Sequence, residues 1–258
     1  MPAKSRTMPV QDDLRRGLTL FAAVGVVAAA LIAGHVTTRS AEAAVPAPPR
    51  AGDLTVVELF TSQGCSSCPP ANDNLVRLST RSDLLTLSFN VTYWDDLGWP
   101  DIFAKPAYTQ RQRDYEQGLG TDNVWTPQVV VDGRSHVVGQ RMSDIERLIA
   151  AHRPFTGPTV IFRSGGVGLA GGSPLADPAD VWLVRYEPRP IAVPVARGEN
   201  GGRTLPHASV VRDLVRLGPW SGGRARGFAL PAASRAGLLT AVLVQAPNGG
   251  PILAAAKG

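Results

Sequence analysis

Two cysteines separated by two serines constrain this chain more than any other feature. Cys65 and Cys68 follow an apolar, β-branched run over 55–60, and apolar residues recur at helical spacing over 71–78. This pattern predicts a strand that ends just before the pair and a helix that begins at it. Backbone N–H groups and the positive dipole end of a helix stabilise a thiolate, which is the reactive form of cysteine. We therefore interpret the pair as redox-active.

Two other interpretations of the pair remain open. A structural disulfide between Cys65 and Cys68 closes so short a loop that it removes little entropy from the unfolded chain. A structural metal site needs about four ligands, whereas these are the only two cysteines and the four histidines are scattered along the chain. Both interpretations fit the sequence less well than a redox-active pair.

The first 43 residues have the layout of an export signal. Basic residues precede an apolar run over 18–34, and Ala41-Glu42-Ala43 places small side chains at the cleavage positions. We predict a signal peptide over 1–43, cleaved after Ala43, and a Pro/Ala linker over 44–52. The alternative is an uncleaved single-span anchor, and only then do we expect membrane contact. The predicted location is periplasmic or secreted, where disulfides persist.

A change of charge along the chain indicates two domains. Residues 44–155 carry 10 Lys/Arg against 13 Asp/Glu, a net charge of −3, whereas residues 156–258 carry 11 against 5, a net charge of +6. We predict a first domain over 53–155 and a second over 156–258. A basic half is typical of nucleic-acid binding, but export and the absence of a clustered Lys/Arg run argue against a nucleic-acid partner. The oligomeric state is left open by the sequence.

The order of elements in the first domain predicts an α/β fold. After the strand and helix at the cysteines come a buried strand over 84–91, a helix over 106–117, a hairpin at Asp132-Gly133 and a helix from Ser143. A strand–helix–strand unit followed by a hairpin and a helix gives a mixed sheet with helices on both faces. A Cys-x-x-Cys in such a pattern is typical of a thioredoxin-like redox motif.

Short apolar runs punctuated by Gly and Pro predict a smaller, antiparallel β-rich domain over 156–258. The candidate strands are 159–162, 181–186, 191–195, 210–217, 238–245 and 252–256. We interpret the Gly/Asn-rich loop over 197–203 as a tight turn, with the binding of a partner as the alternative. We expect His207 to be an ordinary surface or hydrogen-bonded residue.

Residues 53–153 resemble a thioredoxin-fold domain. The matching residues are Val57-Glu58-Leu59-Phe60, Cys65-Ser66-Ser67-Cys68, and Thr126-Pro127 before the Asp-Gly hairpin. The resemblance implies that Pro127 is a cis proline lying against the cysteine pair. It also implies that Thr126 offers backbone groups to a substrate strand. Gly64 stands where thioredoxin has a tryptophan, and Pro69 where it has a basic residue.

Glu58 is conspicuous on physical grounds as well, because it interrupts an apolar strand that we expect to be buried on both faces. Burial raises the pKa of a carboxyl group, which suits a proton acceptor. The resemblance implies that Glu58 lies behind Cys68 and moves the proton when Cys68 attacks a mixed disulfide. The alternative is an edge position with the carboxylate in water.

A narrower resemblance spans both halves of the chain. The segments 58–70, 93–99 and 197–205 are similar to a family of secreted, thioredoxin-like bacterial proteins of unknown function. The aromatic, Asp-rich segment 93–101 is either a loop packed over the core or one wall of a groove beside Cys65. The family resemblance implies no substrate.

These observations favour a thiol–disulfide oxidoreductase of the cell envelope that needs no cofactor and acts on protein or small-molecule thiols and disulfides. Cys65 is the expected attacking thiolate, exposed at the helix start, and Cys68 is the expected resolving thiol. Glu58 is the expected proton carrier. The residues expected to bind the substrate are Thr126, Pro127, Trp125 and Trp94.

Two alternatives come from other functional classes. The first is a copper-binding or metal-delivery protein on the same fold, because paired thiolates are soft ligands suited to Cu(I). His136 is a candidate third ligand, although we predict no metal site. The second alternative is a binding module without catalysis, which leaves the presence of both cysteines unexplained.

Overall fold

The computed structural model describes residues 54–258. The signal peptide over 1–43, its cleavage after Ala43 and the linker over 44–52 lie outside the described residues and stay predictions. All described residues fall within one unit of mutual contacts. Within them, no helix is both long and apolar enough to cross a membrane.

The cysteine motif lies beside a four-stranded mixed sheet. The elements of this part are β1 (Thr55–Thr61), α1 (Pro69–Leu78), β2 (Leu84–Asn90), α2 (Pro106–Leu119), β3 (Gln128–Val131), β4 (Ser135–Val138) and α3 (Met142–Ala150). The sheet order is β2-β1-β3-β4. β1 runs parallel to β2, to which α1 connects it, and antiparallel to β3. Both β1 and β2 are buried on both faces, as their continuous apolar runs predict.

Proline and glycine set the ends of the helices. Pro69 and Pro70 begin α1, where a missing backbone N–H costs nothing, and Cys68 is the residue that caps it. Pro106 begins α2, which ends at Gly120, whose φ of +66° is accessible to glycine without strain. The predicted change from strand to helix at the cysteine pair is therefore confirmed.

The second half of the chain consists of nine strands and their connections. They are β5 (Thr159–Arg163), β6 (Gly166–Ala170), β7 (Ala179–Tyr186), β8 (Ile191–Pro194), β9 (Thr204–His207), β10 (Val211–Trp220), β11 (Arg226–Ala229), β12 (Leu239–Gln245) and β13 (Ile252–Lys257). They form an antiparallel sheet in the order β10-β7-β12-β13, a three-stranded sheet β11-β6-β5, and the hairpin β8-β9.

The prediction of an α/β fold, with a thioredoxin-like mixed sheet, flanking helices and a smaller β-rich domain, is wrong. The described residues form 13 strands in four sheets and only three α-helices, so the fold is mostly β. The physical reason is that the short runs between Gly and Pro nearly all become strands, which need only about four residues to pair. Three of them, β6, β9 and β11, lie where the sequence predicts no strand.

Apolar clusters stack the sheets in layers. On one face of the first sheet, Leu59 packs against Leu75 of α1 and Ile145 of α3. The opposite face carries Phe60, which belongs to the same cluster as residues of α2 and Leu243 of β12. The four-stranded antiparallel sheet thus packs behind the sheet that carries the cysteine motif. The predicted domain boundary falls between α3 and β5, and apolar packing continues across it.

Candidate functional site

Cys65 and Cys68 are joined as a disulfide, with their Cα atoms 5.4 Å apart. The backbone N–H groups of Ala71 and Asn72 donate to the carbonyl oxygen of Cys68, so the second cysteine is part of the first turn of α1. Both cysteines are 0% exposed. Cys65 is therefore not exposed at the helix start, because segments from elsewhere in the chain cover it.

The segment before β3 provides the first of these covering contacts. The Thr126–Pro127 peptide bond is cis, which confirms the expectation from the resemblance. The carbonyl oxygen of Thr126 lies 3.9 Å from Cys65 Sγ and 3.5 Å from Ser67 Oγ. Ser67 Oγ is in turn 3.2 Å from Cys65 Sγ. The structure thus brings Cys65, Ser67 and Thr126 together, with Pro127 next to Thr126 in the chain.

The two tryptophans expected at the site have different surroundings. Trp94 Nε1 donates a hydrogen bond of 2.8 Å to Thr126 Oγ1, and Tyr93 and Trp94 pack against the apolar cluster that contains Phe60, as expected for a loop over the core. Gly64 makes room for Trp94, because a Cβ at this position would lie 3.3 Å from Trp94 Cβ. The ring of Trp125 instead packs edge-on against His136, with ring centroids 5.2 Å apart.

A buried carboxylate holds the backbone just before Cys65. Asp101 accepts hydrogen bonds from the backbone N–H of Gln63 at 2.8 Å and from the side-chain amide of Asn90 at 2.7 Å. Burial raises the pKa of Asp101, and these hydrogen bonds oppose that rise. Trp99 Nε1 donates to Gln63 Oε1 at 2.9 Å. The Asp-rich composition of this segment is its only signal in the sequence.

The loop over 197–203 reaches the cysteine motif from the second half of the chain. Asn200 Nδ2 donates to the carbonyl oxygens of Gln63 and Cys65, each at 2.9 Å. Glu199 Oε2 accepts a 3.0 Å hydrogen bond from the backbone N–H of Ser66. The loop is a turn, as interpreted from its Gly/Asn content, but its contacts with the cysteine motif were not predicted. No motif or spacing in the sequence signals these contacts.

Glu58 lies away from the helix that carries the cysteines. Its carboxylate is fully buried in the central strand β1 and accepts from Arg111 Nε at 2.8 Å, so the edge position in water is wrong. The hydroxyl of Tyr115 donates to its other oxygen. Burial, followed by the negative charge of Glu58, raises the pKa of Tyr115 well above its ordinary range.

The alternation of side chains along β1 explains this placement. Residues 56, 58 and 60 of a strand share one face. Phe60 and Tyr115 belong to the cluster on the α2 side, whereas Leu59 belongs to the cluster with α1. Glu58 therefore points to the face of the sheet opposite α1, and the structure does not bring it together with the cysteines.

Metal ligands are sparse in the described part of the chain. Over residues 54–258, no group of three or more His, Cys, Asp or Glu side chains is arranged to hold a metal ion. His136 lies in β4 opposite Val130, with its ring against Trp125. Burial lowers the pKa of His136, so its imidazole is neutral at pH 7.

The fold and the site together define a mostly β protein with a covered disulfide at the start of a helix. The chain belongs to the family described as protein of unknown function (DUF1223), whose sequence profile matches residues 56–245. The matched range includes the cysteine motif, the segment over 93–101 and the loop over 197–203.

Two solved structures are similar to this chain. Protein AGR_C_4864 from Agrobacterium tumefaciens, known from its crystal structure, shares 31% identity with a TM-score of 0.66, over 81% of this chain and 95% of that chain. HBP35 of Porphyromonas gingivalis shares 12% identity with a TM-score of 0.50, over 81% of this chain and 75% of that chain, which is a similarity of fold alone. No curated protein matches the chain.

Proposed function

We propose that this protein is a thiol–disulfide oxidoreductase that acts through Cys65 and Cys68 on protein or small-molecule thiols and disulfides. The observation that carries the proposal is the disulfide at the start of α1, with the backbone carbonyl of Thr126 beside Cys65 Sγ. The helix start stabilises a thiolate once the disulfide is reduced. An extended substrate can pair with backbone groups at Thr126.

The proposed reaction is a pair of thiol–disulfide exchanges. The Cys65 thiolate attacks one sulfur of a substrate disulfide; that bond breaks, the other substrate sulfur leaves as a thiol after taking up a proton, and a mixed disulfide remains. Cys68 then attacks Cys65 Sγ, which closes the Cys65–Cys68 disulfide and releases the second substrate thiol. Two electrons pass from the protein to the substrate, and the reverse sequence oxidises a substrate dithiol.

Side chains around the pair have separate roles in this proposal. The hydroxyl of Ser67, 3.2 Å from Cys65 Sγ, donates to the thiolate and stabilises it. Trp94 holds Thr126 in position through its indole N–H. We assign Glu58 no proton transfer, because its carboxylate is bound by Arg111 and Tyr115 on the other face of the sheet.

We further propose that the protein works outside the cytoplasm, in the periplasm or as a secreted protein. The support comes from the sequence, where an apolar run over 18–34 follows basic residues and precedes a small-x-small cleavage pattern at Ala43. An oxidising compartment keeps disulfides intact and supplies disulfide-bonded partners.

Paired cysteine variants test the proposed function. Reduced Cys68→Ser, incubated with a disulfide-bonded peptide, should retain the peptide on Cys65 as a mixed disulfide, because no second thiol can release it. Cys65→Ser should retain far less, because Cys68 lies within the first helical turn. Mass spectrometry before and after the addition of dithiothreitol measures the adduct, and reduced wild type should release the peptide.

The same samples separate the alternatives. In a copper carrier, either variant loses Cu(I) binding and neither retains the peptide, while wild type binds Cu(I) stoichiometrically. A binding module without catalysis gives neither adduct nor Cu(I) binding. Either result contradicts the oxidoreductase proposal.

A further inference from the structure

The loop over 197–203 contacts the cysteine motif at three backbone groups. Asn200 Nδ2 bridges the carbonyl oxygens of Gln63 and Cys65, and Glu199 accepts from the N–H of Ser66. These bonds span both sides of Cys65. The loop must therefore move away before the backbone groups around Cys65 can bind a partner.

The loop has a defined shape of its own. The backbone N–H of Gly202 donates to the carbonyl oxygen of Val195 at 2.8 Å, and Arg203 donates from its guanidinium to Asn200 Oδ1 at 2.8 Å. Gly198 and Gly202 have φ values of +76° and +80°, which other residues adopt only with strain. Asn200 is consequently presented with its amide group facing the cysteine motif, and it is 0% exposed.

The base of the loop is anchored in the protein core. β8 and β9 pair in register, and Val193 and Leu205 are buried. β9 lies against α1, the helix that begins at Cys68. The base of the loop is therefore fixed in place, and the contacts of the loop with the cysteine motif do not depend on ordering a long flexible segment.

The charge of Glu199 adds to these contacts. Glu199 is exposed, but its carboxylate accepts the hydrogen bond of Ser66, which lowers the pKa of Glu199. It is thus ionised at neutral pH and occupies an N–H group next to Cys65. A carboxylate here also disfavours a thiolate on Cys65, because like charges repel. The other charged groups bound to this network are Arg203, which holds Asn200, and Asp101, which holds Gln63.

We infer that the loop over 197–203 is a cap that covers the Cys65–Cys68 disulfide. Asn200 positions the cap on the cysteine motif, and the hydrogen bond between Glu199 and Ser66 holds it closed. The inference rests on the proposed function for its biological meaning. The cap lifts for a reaction and is replaced by a partner that offers acceptors and donors to the same backbone groups. Selection among partners therefore occurs through displacement of Asn200 and Glu199.

The rate of disulfide reduction by dithiothreitol tests the cap. One hydrogen bond of ordinary strength changes an equilibrium by roughly two- to tenfold, so Asn200→Ala, which loses two such bonds, should be reduced about tenfold faster than wild type. Glu199→Gln, at an exposed position that does not endanger folding, should be reduced about three- to tenfold faster. Free-thiol release with time measures the rate, and wild type is the slow reference.

Matched controls separate a cap from a general loss of stability. Asn74→Ala removes a buried amide that likewise donates to two carbonyls, those of Gly139 and Gln140, both at 3.0 Å. Asp177→Asn removes an exposed carboxylate in the loop between β6 and β7. Both controls should be reduced at the wild-type rate.

The dependence of the rate on urea provides a second criterion. Lifting the cap exposes little surface, so the reduction rates of Asn200→Ala and Glu199→Gln should rise only slightly with urea. Reduction through global unfolding rises steeply with urea. If Asn200→Ala does not fold, Glu199→Gln decides the question with the same two measurements.

Failure of the cap and failure of the proposed function have different signatures. Wild-type rates for both cap variants, or faster reduction with a steep urea dependence, would overturn the cap. Loss of reversible exchange between wild type and glutathione would instead overturn the redox function, whatever the cap variants do.

Discussion

Arg111 and Glu58 form an ion pair in which neither side chain reaches water: their side chains are 4% and 0% exposed, and 2.8 Å separate Arg111 Nε from Glu58 Oε1. Removal of one partner leaves the other charge buried without compensation, which costs about 3–5 kcal/mol. We therefore expect Glu58→Gln to lower the free energy of unfolding by about this amount. Urea denaturation at pH 7 measures the loss.

A double variant serves as the control for the ion pair. Replacement of both charges by apolar residues, Glu58→Leu with Arg111→Met, should recover much of the lost stability, because no unpaired charge remains.

Glu58→Gln should resolve a mixed disulfide at the wild-type rate. A stable Glu58→Gln that resolves the mixed disulfide about 10²–10⁴-fold more slowly would restore Glu58 as the proton carrier.

His207 should make the protein less stable in mild acid. It is 1% exposed, with its ring edge-on to Phe103, and burial lowers the pKa of His207 to about 4. The unfolded chain binds this proton below about pH 6.5, while the folded chain binds it only near pH 4. The stability that depends on a neutral His207 is therefore fully present above about pH 6.5 and is lost as the pH falls towards 4, by about 3 kcal/mol in all.

The matching measurement is the unfolding free energy of wild type and His207→Leu between pH 7 and pH 4. The leucine variant lacks the titrating group. As the pH falls from 7 to 4, wild type should therefore lose more unfolding free energy than His207→Leu does. Parallel pH profiles for the two proteins would contradict the assignment. The expectation of a surface or hydrogen-bonded histidine is therefore wrong, because His207 is buried and neither ring nitrogen has a hydrogen-bond partner among the described residues.

Local patterns in the sequence were sufficient for elements that carry their own signals. The apolar run of β1, the prolines at the starts of α1 and α2, and the Asp-Gly turn between β3 and β4 each specify a local conformation, and the structure has all of them. The strands β6, β9 and β11 were missed because Gly and Pro weaken strand patterns, and β11 pairs with β6, which lies far away in the chain. The same strands explain why the fold class was wrong.

The site was predictable only in its central part. Cys65, Cys68, Thr126 and Pro127 lie in motifs whose spacing can be recognised. The partners of Glu58 and Cys65 cannot be recognised in this way, because Arg111 and Asn200 are 53 and 135 residues away along the chain. An isolated Arg or Asn does not indicate which distant group it binds. Such contacts depend on how the sheets and helices pack against one another, and the hydrophobic pattern of the sequence does not indicate them.

Glu199 should suppress the thiolate of Cys65 in the reduced protein. Its carboxylate is bound to the N–H of the adjacent Ser66, and removal of this charge favours the thiolate. We expect Glu199→Gln to raise the fraction of thiolate at pH 7 by about two- to fivefold, measured as the alkylation rate by iodoacetamide at pH 7 relative to its high-pH plateau in the Cys68→Ser background. The effect should shrink at 1 M salt, which screens exposed charges.

Asp177→Asn is the control for this charge change, because it also removes one exposed carboxylate. Its alkylation rate should equal that of the parent protein. An equal acceleration in both variants would mean that net charge, and not the position of Glu199, controls the thiolate.

The reduction potential of the Cys65–Cys68 pair distinguishes a catalytic disulfide from a structural one. Purified protein is equilibrated with glutathione buffers of graded ratio, and the fraction of disulfide is measured after the thiols have been blocked. We predict reversible two-electron exchange with a potential above about −300 mV, as expected for a catalytic pair. A potential below about −300 mV, or a pair that does not exchange at all, would identify a structural disulfide and contradict the account.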